Sequence, residues 1–264
     1  MYPRSVREGE RLIKCVCSAS CEAVTELLMD EEGPLVFRAD RTADAPALHV
    51  SGNHSSELAR ACLALLQDRE RSLCDRLNRI GLLLCKFSES GACSISSIEN
   101  AAVPAAWPIE RALPAVVRLI RRLAQNSPSL ERFGAAMLER YDPKSADLCA
   151  LYQQDCAAFD AAFPDWPRFF ENLLANHMFY EDFPFTDERL TPEGEFTGLV
   201  GVYAAMRVMS VGCTAVHGGR DALVDALSGL FRCIEHAAFY LNADYLLECE
   251  EKGDRGLLGG ALKL

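Results

Sequence analysis

Three cysteines crowd into one short stretch near the N-terminus: Cys15, Cys17 and Cys21 in "KCVCSASC". Thiolates at that density can hold a metal ion or part of an iron–sulfur cluster. The spacing departs from a Cys-x-x-Cys pair, and no second pair lies nearby, so a structural role for these thiols stays open beside the metal one. A second group falls in "PRFFENLLANHMFYEDF". Asn172, Asn176 and Tyr180 recur every fourth residue and line one strip of a helix, with His177 and Glu181 as a neighbouring pair. A third group is Arg232, Glu235 and His236 in "FRCIEHAAFYLNADY". Arg232 lies one turn from both Glu235 and His236, off the apolar stripe of Leu230, Ile234 and Leu241. Polar groups on a central helix must satisfy one another or a ligand. Phosphate loops, dinucleotide fingerprints, zinc-protease helices and nucleophile elbows are missing from the sequence.

The elements that would carry these residues read as helices. Leu58, Cys62, Leu65 and Leu66 share one face, and Leu73, Leu77, Ile80, Leu84 and Phe87 form a stripe. Ser127-Pro128 reads as an N-cap and first helical residue. Leu148, Tyr152, Cys156, Phe159 and Phe163 continue the pattern until Pro164 breaks it. Pro167 opens the next helix and Pro184 closes it. A final helix is expected from Asp221 through Tyr245. "PLVFRAD" at 34–40 and "ALHV" at 47–50 are the only strand signals, and residues 88–108 read as a long connection. The predicted fold is all-α, a bundle of about eight helices with a short two-stranded ribbon near the N-terminus. Its expected layout is a cysteine-bearing remnant with a short helix over 1–50, the bundle over 51–252 and a flexible tail over 253–264.

With 264 residues and half of them hydrophobic, the chain can bury a large core. Its net charge of −11 argues against binding nucleic acid through an overall positive field. The basic start lacks an apolar stretch of signal-peptide type, which points to the cytoplasm and to reduced thiols. Phe196 to Val216 is nearly uncharged and long enough to span a bilayer, but Arg207 at its centre costs a membrane helix about 3 kcal/mol. A core helix buried on nearly all sides is the favoured reading.

Four stretches resemble the flagellin lysine-N-methylase family. They are "YPR" with "SASCEAVTELL", then "LLQDRERSLCDRLNRIGLLL", "FFENLLANHMFYEDFPF" and "FRCIEHAAFYL", in the family's order and over most of the chain. The resemblance implies methyl transfer to lysine side chains of flagellin or another protein, with S-adenosylmethionine as donor. It implies catalytic roles for Glu235, His236 and Tyr180, which would orient the amine or take its proton. It implies cofactor contacts from Asn172, Asn176 and Arg232, and a metal centre that would include Cys15, Cys17 and Cys21. In the family a cysteine-rich, iron–sulfur-type region precedes Tyr-Pro-Arg. Here Glu22 follows Cys21 where the family has proline. The expectation is a helical body that folds alone, carries an incomplete cluster and has weak or no methylase activity. A non-catalytic helical interaction module and a cysteine-ligated redox protein are the rival expectations.

Overall fold

A computed structural model describes residues 3–8, 11–37, 53–91, 93–99, 101, 106–125, 127–247, 249 and 255–264. It opens with a hairpin in which β1 (Pro3–Glu8) pairs antiparallel with β2 (Arg11–Cys17). The register sets Pro3 opposite Cys17 and Ser5 opposite Cys15. Eleven α-helices follow among the described residues. They are α1 (Glu22–Asp30), α2 (Asn53–Leu66), α3 (Leu73–Ser90), α4 (Ile109–Ala124), α5 (Pro128–Arg140), α6 (Leu148–Ala162), α7 (Trp166–Glu181), α8 (Pro192–His217), α9 (Gly219–His236), α10 (Phe239–Leu246) and α11 (Arg255–Ala261).

The all-α expectation holds, and the details move. The ribbon forms at 3–17, ahead of the stretch that carried the strand signals. Residues 34–37 form no strand, while 38–40 and 47–50 lie outside the described residues. The expected final helix is two. Ala238 adopts a left-handed backbone at φ 46°, and the Asn242 side chain donates to the carbonyls of Ala237 and Ala238 at the break. The expected flexible tail contains α11, whose Leu257, Leu258 and Ala261 are buried against α4 and α8. Leucines separated by glycines can be buried as well as frayed, because each glycine lets a neighbouring backbone approach. An alanine Cβ at Gly260 would lie 2.9 Å from the Trp107 carbonyl oxygen.

α8 is the axis of the bundle. α3, α4, α5, α6, α9, α10 and α11 all pack on it, and every residue from Thr197 to Cys213 is buried. By length and composition it could cross a membrane; in this fold other helices cover it. Its glycines admit large neighbours. The Tyr240 ring lies flush on Gly198, and Met137 and Tyr141 lie on Gly212. Arg207 is the charge inside this helix, 3 % exposed. Its Nη2 donates to Asp160 at 2.9 Å, its Nε to the Leu264 main-chain oxygen at 3.2 Å, and its guanidinium stacks 4.1 Å from the Trp166 ring centre. A buried charge requires such partners.

Near the start of α8, Glu195 joins the helix to the segment after α7. Its Oε1 accepts from the Thr186 amide at 2.8 Å and from the Thr186 hydroxyl at 2.9 Å. Its Oε2 is buried without a hydrogen-bond partner. Burial pushes the carboxyl up to about 7, against the opposing effect of Thr186. The folded state therefore holds a proton that the unfolded state releases. That contribution to stability is present in acid and is lost as pH rises from the ordinary carboxylate range to about 7. Glu195→Gln should remove this slope, leaving the variant more stable than the parent by up to about 3 kcal/mol at pH 8. Urea denaturation at pH 5 and pH 8 measures it; a parent curve independent of pH across that window would refute it.

Candidate functional site

The chain leaves β2 at Cys17, turns through Ser18-Ala19-Ser20 and enters α1 with Cys21 as its N-cap. Small hydroxyl residues make this turn by bonding their own backbone. The Ser20 amide donates to Ser18 Oγ at 2.8 Å, the Cys21 amide to the Ser18 carbonyl at 3.3 Å, and Thr25 Oγ1 to the Ala19 carbonyl at 2.7 Å. The two serine hydroxyls lie 2.6 Å apart.

Side chains from two distant helices grip this turn and the helix behind it. From α7, Asn176 donates to the Cys17 carbonyl at 3.2 Å, and Asn172 donates to the carbonyls of Leu28 and Glu31 at 3.1 and 2.8 Å. From α9, Arg232 donates to the Ser20 carbonyl at 3.1 Å, and the Glu235 carboxylate accepts a short hydrogen bond from the Ser18 hydroxyl. The helical spacing explains the reach. Asn172 and Asn176 lie one turn apart on α7, as do Arg232 and Glu235 on α9, so each pair presents two polar groups along one strip.

A further pairing extends the seam. Glu171 of α7 is fully buried and accepts from Arg69 at 2.9 to 3.1 Å and from Arg76 Nη1 at 2.6 Å. Arg76 also donates to the carbonyls of Leu66 and Arg71. The motif stretches around residues 18–28, 65–84, 169–185 and 231–241 thus meet through direct polar bonds, with α7 in the middle.

The electrostatics set two groups apart. Burial raises the Glu235 carboxyl above the ordinary range, while the Ser18 and Ser20 hydroxyls and the charges of His236 and Arg232 work against it. The Cys21 thiol is lowered, first by the Val24 amide and then by that of Ala23, as expected where a sulfur faces a helix N-terminus. Behind the seam, His177 is buried between the rings of Phe231 and Tyr240, at centroid distances of 5.5 and 5.8 Å. Burial pushes its imidazole down to about 3, so it is neutral, and neither ring nitrogen has a hydrogen-bond partner. The Tyr240 hydroxyl is likewise buried and unbonded.

The sequence-predicted residues distribute unevenly over this frame. Glu235, Arg232, Asn176, Cys17 and Cys21 come together at the turn, while Asn172 holds the far end of α1 through Leu28 and Glu31. Cys15 lies two residues before Cys17 on β2, with its side chain outside the described residues. His236 is the exposed last residue of α9, and its charge reaches Glu235. Tyr180 is half-buried one turn beyond Asn176. Among the described residues no three His, Cys, Asp or Glu side chains are grouped to hold a metal. Sequence reasoning gave no role to Ser18, Ser20, Glu171 or Glu195. Ser18 and Ser20 carried a usable signal, since hydroxyl residues just before an apolar helix are turn and cap formers. Glu171 carried none, because its partners lie 95 and 102 positions away.

The thiol chemistry gives a direct check. Cys21 is part-exposed and lowered, whereas Cys213 is buried and pushed up to about 12 and Cys62 is buried and raised further. Iodoacetamide at pH 8 should label Cys21 at least about ten times faster than either buried cysteine, because the thiolate is the nucleophile. Peptide mapping by mass spectrometry would read the order, and equal rates at the three positions would contradict the geometry.

Neither the curated proteins nor the solved structures contain a match to this chain. A family model described as the FliB lysine N-methylase C-terminal domain matches residues 59–257. That span covers three of the four stretches joined in the seam, and the chain belongs to this FliB lysine N-methylase C-terminal domain family.

Proposed function

We propose that the chain is the helical body of a protein-lysine N-methylase that acts on flagellin or a similar protein, with S-adenosylmethionine as methyl source. The observation that carries this reading is the grip of α7 and α9 on the Ser18–Cys21 turn, which joins three of the four family-like stretches through direct bonds.

Asn172, Asn176 and Arg232 each donate to carbonyls of the turn or of α1, while Asn172 Oδ1 is buried without a hydrogen-bond partner. Their role in this reading is to position the turn and α1. This chain's own contribution then lies on the acceptor side. A lysine ammonium must lose a proton before its nitrogen lone pair can attack carbon. Glu235 is suited to take that proton: burial makes its carboxylate a stronger base than an exposed one. The proton passes from the ammonium to the Glu235 carboxylate, which leaves a neutral amine and a neutral carboxyl. Two charges disappear together, which a partly desolvated site favours. The Ser18 hydroxyl holds the carboxylate in place during the transfer.

The two described thiols at the turn, Cys17 and Cys21, are too few for an iron–sulfur cluster, which takes four protein ligands. The β-ribbon register supports a shared site in longer family members, since Pro3 of the Tyr-Pro-Arg stretch pairs with Cys17. A cysteine segment joined ahead of that stretch would arrive beside the turn.

Purified chain, alone and fused to the cysteine segment of a longer family member, would be incubated with flagellin and S-adenosylmethionine. Mass spectrometry of flagellin lysines should find methylation with the fusion. Glu235→Gln in the fusion should reduce it by about 100-fold or more, the usual scale for a lost general base. Absence of lysine methylation with either protein would overturn the methylase reading. Full activity of Glu235→Gln would remove only its proposed role.

A further inference from the structure

A second polar site lies on the other flank of α7, where the start of α3, the start of α7 and the Arg207 side chain border a cleft. Ser72, Leu73, Cys74, Trp166, Arg207 and Lys263 line it. Most charges at its edge are already matched. Arg76 is bound to Glu171 at 2.6 Å and Arg71 to Asp68 at 3.1 Å. Two positive groups keep donor capacity. Arg207 is 3 % exposed, and its Nη1 is buried with no acceptor, although Nη2 and Nε are both bonded. An unmet guanidinium N–H in that position costs as much as a lost charged hydrogen bond unless something accepts it. Lys263 is exposed at the rim, close enough for its charge to favour the Cys74 thiolate.

The backbone adds donors of the same sign. α3 begins at Leu73, and its first intrahelical bond runs from the Arg76 amide to the Ser72 carbonyl. The amides of Leu73 and Cys74 precede that bond and, with the positive end of the 18-residue helix, face an anion favourably. Asp75 works against this, since its carboxylate lies in the same first turn and accepts from the Ser72 hydroxyl at 2.7 Å. The Arg207 guanidinium carbon lies 4.1 Å from the Trp166 ring centre, and with its bonds to Asp160 and Leu264 this donor is fixed before any ligand arrives. The Leu264 main-chain oxygen also borders the cleft and accepts from Arg207 Nε, so an anion must sit on the side of Arg207 Nη1 and Lys263, away from that oxygen and from Asp75.

We propose that this cleft binds the oxyanion of a small molecule, a phosphate or carboxylate group, between Arg207 Nη1, Lys263 and the first amides of α3. The site lies outside the turn gripped by α7 and α9, and the proposal does not depend on the methylase reading.

The purified chain would be titrated with inorganic phosphate and, separately, with acetate, each against sodium chloride of equal ionic strength. Tryptophan fluorescence and thermal unfolding would be followed together. A saturable change with at least one anion, beyond that of chloride, is expected. Tighter phosphate points to phosphate esters and tighter acetate to carboxylates as the natural ligands. Lys263→Glu, at an exposed position, should keep the fold and weaken binding about five-fold or more, as expected for reversing a charge beside an anion. Arg207→Lys should weaken it about ten-fold or more, because lysine lacks the forked donor; if it fails to fold, Lys263→Glu decides. No saturable effect of either anion, or unchanged affinity in Lys263→Glu, would overturn the proposal.

Discussion

The whole fold depends on covering α8. A helix that is apolar on every side has no face to give to water, so its neighbours must enclose it completely. Seven other helices do so here. Enclosure also dictates which residues α8 can carry. Gly198 and Gly212 leave room for Tyr240 and Met137, where even an alanine Cβ would fall within 2.2 Å of the neighbouring side chain. Arg207 is tolerated because Asp160, Trp166 and the Leu264 main-chain oxygen converge on it. The C-terminal segment is thereby part of the core.

α7 plays the opposite part. Glu171, Asn172, Asn176 and His177 are buried polar residues on one helix, among Phe169, Phe170, Leu173 and Leu174. Three of the four polar groups bond to other parts of the chain: Glu171 to the α2–α3 connection and α3, Asn172 to α1, and Asn176 to the end of β2. Each bond satisfies a buried group and also fixes the angle between α7 and a neighbour. His177 is the exception, accommodated as a neutral ring among aromatic rings. α7 therefore links the bundle to the N-terminal hairpin, and its polar residues give that link a single register.

Much of this was readable from the sequence, for definite reasons. The stripes of α2, α3, α6 and α9 follow the helical period because one face of each is buried and another is not. The core position of α8 followed from its composition and the one arginine inside it. The positions of Asn172, Asn176, Arg232 and Glu235 were legible as strips of polar residues. What they bond to was not, because the acceptors are backbone carbonyls, which have no sequence identity. The hairpin was missed at 3–17 because "PRSVREGERLIKCVC" mixes charges with short apolar steps and shows no clean alternation. α4 was missed too, since Pro114 interrupts a pattern that is otherwise strongly one-sided.

The grip on the Ser18–Cys21 turn spans almost the entire polypeptide. Ser18 and Glu235 are 217 positions apart, and Cys17 and Asn176 are 159 apart. Closing contacts that distant carries a large loop entropy, so they form after the local helix pairs. During synthesis α1 and its cysteines emerge from the ribosome long before α9 exists. The turn then stays unlocked until the final third of the chain is made, which gives a nascent polypeptide an interval in which these thiols lack the hydrogen-bonded surroundings of the finished fold.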